Sequence, residues 1–242
     1  MFRLSFGLAV AMAVTPARQV TSGYFRVHLY VLMGLNVLAA LAAAGGDSLQ
    51  IGLPLVAAAV SYAGSVFWLY ELGAPGKAAL AIVAALSLAA NWILAPPSTL
   101  PPIASLLHKL DPLAGGLVLG TTLAAMLLGH WYLNSPTMKI DPLDRLVVWM
   151  GLAIAARAAL CGLALGLEVA QFGTPSTQQL LLVTLRWMTG LVGAGIVVFL
   201  TRATLRVPNT QSATGLLYVG VIVTFVGELT SLLLSGEFRY PV

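Results

Sequence analysis

Residues 146–167 read LVVWMGLAIAARAALCGLALGL, an apolar run in which Arg157 is the single charge. A run of this length can cross a bilayer, whose hydrocarbon core takes about 20 apolar residues as a helix. The run is too long for a strand of a transmembrane barrel, and it lacks the alternation with period two that such strands require. It therefore predicts a transmembrane α-helix.

The rest of the chain has the same character. Of its 242 residues, 59% are hydrophobic and 8% are charged, which leaves too little polar surface to cover a water-soluble globule. Seven stretches are long and apolar enough to span a bilayer: residues 24–45, 50–71, 77–96, 113–133, 143–167, 178–200 and 213–235. We therefore predict an all-α integral membrane protein, a single transmembrane domain over residues 1–242 with about seven helices.

Two further stretches allow more than one interpretation. Residues 4–15 are apolar but short, and they fit a partial eighth span, an interfacial helix or a signal-peptide core. The signal interpretation is disfavoured because no small-residue cleavage site follows before Arg18. Residues 96–112 begin with prolines that stop a helix, so the amphipathic run 103–110 is expected to lie on the membrane surface or to serve as a plain connector.

Basic residues predict the orientation. The side on which the first span begins holds Arg3, Arg18, Arg26, Lys77, Lys139, Arg145, Arg202 and Arg206, and the other side holds Lys109 and Arg239. Short loops rich in Lys and Arg stay in the cytoplasm, so loops 134–142 and 201–212 are expected there. We expect a lipid bilayer around the chain, in the inner membrane of a prokaryote. The net charge of +4 is small and gives no indication of nucleic-acid binding.

Three charges lie well inside predicted spans: Arg157, Arg186 and Glu228. A helical rise of about 1.5 Å per residue places all three in the same central-to-outer layer of the membrane. A charge in hydrocarbon is costly and therefore indicates a functional site. Two interpretations stay open. One is a structural ion pair, and the other is a pocket for an anionic or carbonyl-bearing ligand such as a quinone, with Glu228 as proton acceptor.

Histidines suggest a second candidate site. His28 and His130 lie about 6 and 4 Å from the predicted cytoplasmic edge, each on a different span. Two imidazoles on separate helices can ligate a b-type haem. Alternatively, His130 and Trp131 contact a quinone head group together with Tyr132, or all of these belong to an interfacial aromatic belt. His108 is expected to be solvated in the long outer loop.

The sequence contains no covalent-haem, zinc-hydrolase, serine-nucleophile or Walker motif. Its layout resembles the heptahelical quinone-binding anchors of respiratory oxidoreductases, a likeness of architecture that rests on no shared motif. This likeness implies a membrane subunit of a multi-subunit electron-transfer complex, with other protein subunits carrying the redox centres. A small-solute transporter or channel using the same charges, and a structural scaffold without a site, are the alternatives.

The charge asymmetry makes a prediction about topology. A reporter fused after Val242 should lie outside the cytoplasm and one inserted in loop 134–142 should lie inside, because the basic residues favour one side. Alkaline phosphatase and green fluorescent protein fusions would measure this. The reverse pattern would overturn the orientation.

Overall fold

The computed structural model describes residues 1–94, 101–135, 138–207 and 209–242, and every regular element within these ranges is a helix. The helices are α1 (Phe2–Val14), α2 (Ser22–Ala42), α3 (Ser48–Leu69), α4 (Gly73–Ile93), α5 (Pro102–Asn134), α6 (Asp141–Phe172), α7 (Thr177–Arg186), α8 (Ala194–Arg206) and α9 (Thr210–Leu234). With α7 and α8 joined in one span, seven of these helical stretches are long and apolar enough to cross a membrane. The predicted helical membrane bundle is confirmed.

Local polar groups set several helix ends. The Asp47 carboxylate accepts hydrogen bonds from two backbone N–H groups at the start of α3. Ser176 and Gln179 form a reciprocal capping box at the start of α7, and Asn209 caps α9. Each cap satisfies N–H groups that have no partner within the helix. At the C-terminal end of α1, Pro16 follows the capping residue Thr15 and cannot continue the helix.

Residues 103–110 form neither a separate surface helix nor a plain connector, the two alternatives that the sequence left open. These residues form the first turns of α5, which begins at Pro102 and runs as one helix of 33 residues. A proline is tolerated in the first turn of a helix, where its missing N–H would have no partner anyway. Ala104 and Leu107 are buried against the C-terminal residues of the chain, which stabilises these turns. Residues 96–100 of the predicted loop lie outside the described residues, as do residues 136–137 and 208 of the two predicted cytoplasmic loops.

The sixth span changes its winding halfway. α7 ends at Arg186, a π-helical segment covers Trp187–Gly193, and α8 continues from Ala194. A π-helical turn is wider than an α-helical one and is frequent at functional sites. The π-helical part of this span therefore begins directly after Arg186, one of the charges that the sequence places inside the membrane.

α1 lies between two groups of helices. The first group contains α2, α3 and α4, and the second contains α5 to α9. α4 and α5 touch each other little, whereas α1 packs along both of them. Leu8, Ala9, Ala11 and Met12 of α1 are fully buried. Residues 4–15 therefore belong to a short apolar helix inside the bundle, and this helix joins the two groups.

Glycines allow α1 and α5 to approach closely. Gly7 of α1 lies against Gly116 and Gly120 of α5, and a Cβ atom at any of these positions would collide with backbone atoms of the other helix. At Gly116, the nearest such atom would be the carbonyl oxygen of Arg3, at 2.7 Å. Small residues one turn apart are a common means of close packing between membrane helices.

The contacts of α1 show its direction. Arg3 lies beside Gly116, and farther along the chain Thr21 accepts a hydrogen bond from the Trp131 indole at 2.8 Å. α1 therefore runs parallel to α5, towards the end of the bundle at which α2, α4, α6 and α9 begin, which we term the basic end. Assigning Arg3 to the basic side was wrong, because α1 starts in the opposite half of the bundle. The other seven basic residues of that side remain, so the predicted orientation is unchanged.

The close approach of α1 and α5 can be tested with a pair of glycine substitutions. Gly7→Ala should lower the free energy of unfolding by about 1–3 kcal/mol, because the added methyl group meets backbone that cannot move aside cheaply. Gly34→Ala is the matched control, since a Cβ there meets nothing within 4 Å. It should be neutral or stabilising because alanine favours a helix by about 1 kcal/mol over glycine. Thermal unfolding in detergent measures both, and equal effects would contradict this packing.

Candidate functional site

Arg157 and Glu228 form a bidentate ion pair between α6 and α9. The Arg157 Nε donates to Glu228 Oε1 at 2.9 Å, and Nη2 donates to Oε2 at 3.0 Å. The Arg157 side chain is 0% exposed, so this geometry replaces the water that the guanidinium would otherwise bind. Two parallel N–H···O bonds are the strongest pairing that a guanidinium makes with a carboxylate.

A second carboxylate completes the environment of Arg157. Asp111 of α5 accepts a hydrogen bond from Arg157 Nη1 at 2.5 Å, and its other oxygen lies 2.7 Å from Arg3 Nη1. Arg3, Asp111, Arg157 and Glu228, here called the charge network, contain two positive and two negative charges. The network is balanced, and it links α1, α5, α6 and α9.

Small neighbours make room for this network. A Cβ atom at Gly115 would lie 2.6 Å from Glu228 Oε2 and 3.3 Å from Arg157 Nη2, so only glycine fits without displacing the pair. Ser231, one turn beyond Glu228, lies 3.4 Å from Arg157 Nη2 and donates to the carbonyl oxygen of Val242 at 3.4 Å. The C-terminal residues therefore lie next to the network.

The C-terminal segment is held against the ends of α5 and α6. Oε2 of Glu168 accepts hydrogen bonds from the backbone N–H groups of Arg239 and Tyr240, at 3.1 and 3.0 Å. The His108 imidazole lies 2.9 Å from the carbonyl oxygen of Arg239. His108 is partly buried rather than fully solvated, because α5 begins earlier than the sequence predicts.

Arg186 lies beside the network but outside it. Its side chain is buried, with 1% of the residue exposed, and it forms no ion pair with any residue that the structure describes. Nη2 donates to Cys161 Sγ at 2.9 Å, while Nη1 has no partner among the described residues. Cys161 follows Arg157 by one turn of α6. Of the three predicted charges, the structure therefore joins Arg157 and Glu228 and leaves Arg186 outside the ion pair, bonded to Cys161.

This environment is chemically unusual for an arginine. A thiol sulfur is a weak hydrogen-bond acceptor, and a buried cation without a counterion is costly. The indole N–H of Trp187, the next residue, is a second buried donor without a partner in the described ranges. Arg186 and Trp187 thus supply unsatisfied donors in an apolar setting, and an anion or a carbonyl oxygen would satisfy them.

The two histidines of the second candidate site have different neighbours. His28 is buried, its Nδ1 lies 2.6 Å from the carbonyl oxygen of Tyr24, and its ring is 6.2 Å from that of Trp131. His130 is exposed and its Nδ1 lies 3.2 Å from the Tyr218 hydroxyl. The haem and quinone roles of His28, His130 and Trp131 stay predictions.

Two members of the charge network were missed by sequence reasoning. Asp111 stands two residues before the fourth predicted span, where the prolines suggested a loop. Arg3 directly precedes the short apolar stretch 4–15, whose path the sequence leaves open. One signal in the sequence pointed to a missing carboxylate. Arg157, Arg186 and Glu228 together carry one excess positive charge, and buried charges persist only when they are paired.

Comparison with known protein families, curated proteins and solved structures finds no significant match. The charge network and Arg186 are therefore the features that bear on function. Chemistry and geometry at a site are in any case stronger support for a function than likeness of fold.

A double-mutant cycle tests the charge network. Glu228→Gln should lower the free energy of unfolding by roughly 3 kcal/mol, because Arg157 loses one of its two carboxylates. Adding Arg157→Gln should recover part of that loss, whereas adding Arg186→Gln should give a nearly additive result. Thermal unfolding of the single and double variants in detergent measures the two coupling energies. Equal coupling of Glu228 to both arginines would contradict the observed pairing.

Proposed function

We propose that this protein is a membrane subunit of a multi-subunit electron-transfer complex, and that Arg186 binds a ligand with a carbonyl oxygen or a negative charge. A quinone is the ligand that we favour. The observation that carries the proposal is the burial of Arg186 with one guanidinium nitrogen unpaired. Intramembrane charges without a protein partner are characteristic of ligand and ion sites.

The charge network is less suited to bind that ligand. Arg157 already donates to Glu228 and Asp111, and Asp111 also pairs with Arg3. A ligand there would have to compete with ion pairs that hold four helices together. A proton-accepting role for Glu228 would likewise require its bidentate pair with Arg157 to open. We therefore assign the network a structural role and the ligand to Arg186.

The surroundings of Arg186 suit a quinone. Val183 is a buried member of an apolar cluster, and the residues that pack against it include Leu160, Leu182 and Trp187. These residues neighbour Cys161 and Arg186 along the chain. An apolar wall with a few polar donors is typical of sites for small organic ligands, and a quinone carbonyl accepts hydrogen bonds from a guanidinium. The helices leave little mass beyond the membrane to present redox centres to water. Electrons for quinone reduction would therefore come from partner subunits.

Passage of a small anion is a second candidate function. The π-helical segment Trp187–Gly193 begins directly after Arg186, so the buried cation stands where the winding of the span changes. Interrupted helices line substrate sites in many transporters, and arginine side chains select for anions in pores. Transport and quinone binding would use the same side chain and differ in the ligand.

The proposed site can be tested by purification from native membranes, followed by solvent extraction and quantification of quinone per chain. Wild-type protein should retain bound quinone, and Arg186→Met should retain at least about tenfold less, because it loses the donors and keeps an apolar side chain of similar length. Arg202→Gln is the control, since Arg202 is an exposed arginine paired with Asp144. Co-purifying subunits and the visible spectrum, which reports any haem, are recorded on the same sample.

Stability separates a ligand role from a structural one. Removing a buried charge that lacks a counterion should leave the ligand-free protein as stable as before or more stable. A raised or unchanged melting temperature in Arg186→Met, with loss of quinone, would support the site. Wild-type protein without quinone, or unchanged quinone content in Arg186→Met, would overturn it. Anion uptake by proteoliposomes that depends on Arg186 would then favour transport.

A further inference from the structure

A cleft opens at the basic end of the bundle, between the α1–α2 connection and the first turns of α4. Its volume is about 500 Å³, and the residues that line it are Pro16, Ala17, Arg18, Gln19, Gly73, Ala74 and Lys77. A neighbouring cleft of about 370 Å³ shares Ala17, Arg18 and Gly73 with it. The two clefts form one depression around Arg18.

Two cations reach this depression from different parts of the chain. Arg18 comes from the connection after α1, and Lys77 comes from the second turn of α4. Neither forms an ion pair with any residue in the described ranges. One carboxylate, that of Glu71, lines the neighbouring cleft, so the depression keeps a positive excess.

Apart from Arg18 and Lys77, the depression is lined mainly by apolar side chains and by backbone atoms. Pro16, Ala17 and Ala74 offer small apolar surfaces, and Gly73 and Ala74 are the first residues of α4. The N–H groups of Gly73 and Gly76 already donate to the carbonyl oxygens of Glu71 and Leu72, so the start of α4 contributes its partial positive charge, which favours an anion. The depression therefore combines cationic groups with an apolar wall.

Aromatic residues place the depression at the membrane boundary. Trp68 lines the smaller cleft and stacks on Phe25, with ring centroids 4.1 Å apart. Trp131 lies at the same end of the bundle and donates to Thr21 at 2.8 Å. Tryptophan concentrates at the level of lipid head groups. Trp131 is partly exposed whereas Trp68 is 3% exposed, so Trp131 is the residue that marks the level of the phospholipid phosphates at this end.

We propose that this depression is a phosphate-binding site whose occupant is an anionic phospholipid of the surrounding leaflet. Arg18 and Lys77 hold the phosphate, and the apolar wall contacts the glycerol and the first methylene groups of the acyl chains. Basic pockets between membrane helices on the cytoplasmic side are known to take such head groups. A soluble phosphate compound shares the phosphate chemistry but not the acyl chains.

Lipid titration of the full chain in a zwitterionic detergent tests this site. Short-chain phosphatidylglycerol should raise the melting temperature in a saturable manner, whereas phosphatidylcholine, inorganic phosphate and glycerol phosphate at equal concentration should not. Arg18→Gln and Lys77→Gln should each weaken the apparent affinity about fivefold, since one cation near an anionic lipid contributes about 1 kcal/mol. Arg145→Gln removes the same charge at the same end outside the depression and should change the affinity less than about twofold.

Each possible result either supports or overturns the proposed lipid site. Equal stabilisation by inorganic phosphate would overturn the lipid as occupant. Equal weakening by all three substitutions would show attraction to surface charge in general and would overturn the site. Quinone content is measured on the same variants. It should be unchanged, because Arg18 and Lys77 lie at the basic end of the bundle, far from Arg186. Failure of the lipid site therefore leaves the quinone proposal standing.

Discussion

The ion pair between Arg157 and Glu228 is the interaction on which the central packing depends. The Arg157 side chain is fully buried and that of Glu228 is 12% exposed, so Arg157 depends on its carboxylate partners in place of water. Asp111 and Arg3 extend the pairing to α5 and α1. A shift of any of the four helices along its axis would leave a charge unpaired in an apolar interior. The network therefore fixes the register of helices whose apolar surfaces alone would allow sliding.

The zero net charge of the charge network explains why Arg186 lacks a counterion among the described residues. Because the four network charges neutralise one another, none of them remains to compensate the buried cation of Arg186. Arg186 bonds to Cys161, which lies one turn of α6 beyond Arg157, so a second cation is close and the two like charges repel. A negative or carbonyl-bearing ligand would relieve both costs. The same reasoning assigns different roles to two arginines that look equivalent in the sequence.

The spans were predictable from the sequence and their lateral arrangement was not. Length and apolarity are properties of each segment, so hydropathy located all seven spans. Depth also follows from the sequence, because the rise per residue of a helix is fixed. Which neighbour a side chain faces depends on helix rotation and on the order of packing. For this reason Arg186 and Glu228 share a layer, yet only Glu228 faces Arg157. Asp111 was missed because Pro112, which lies inside α5, follows it in a stretch that resembled a loop.

The position of α1 constrains how the chain is assembled in the membrane. With 13 residues, α1 is about 20 Å long and too short to cross the bilayer by itself. It leaves the ribosome before α4 and α5, the two helices that bury it. Until α4 and α5 have been synthesised, the two faces of α1 that they bury have no partner helix. A chain truncated before Pro102 would therefore leave the α5-facing surface of α1, with Gly7, uncovered.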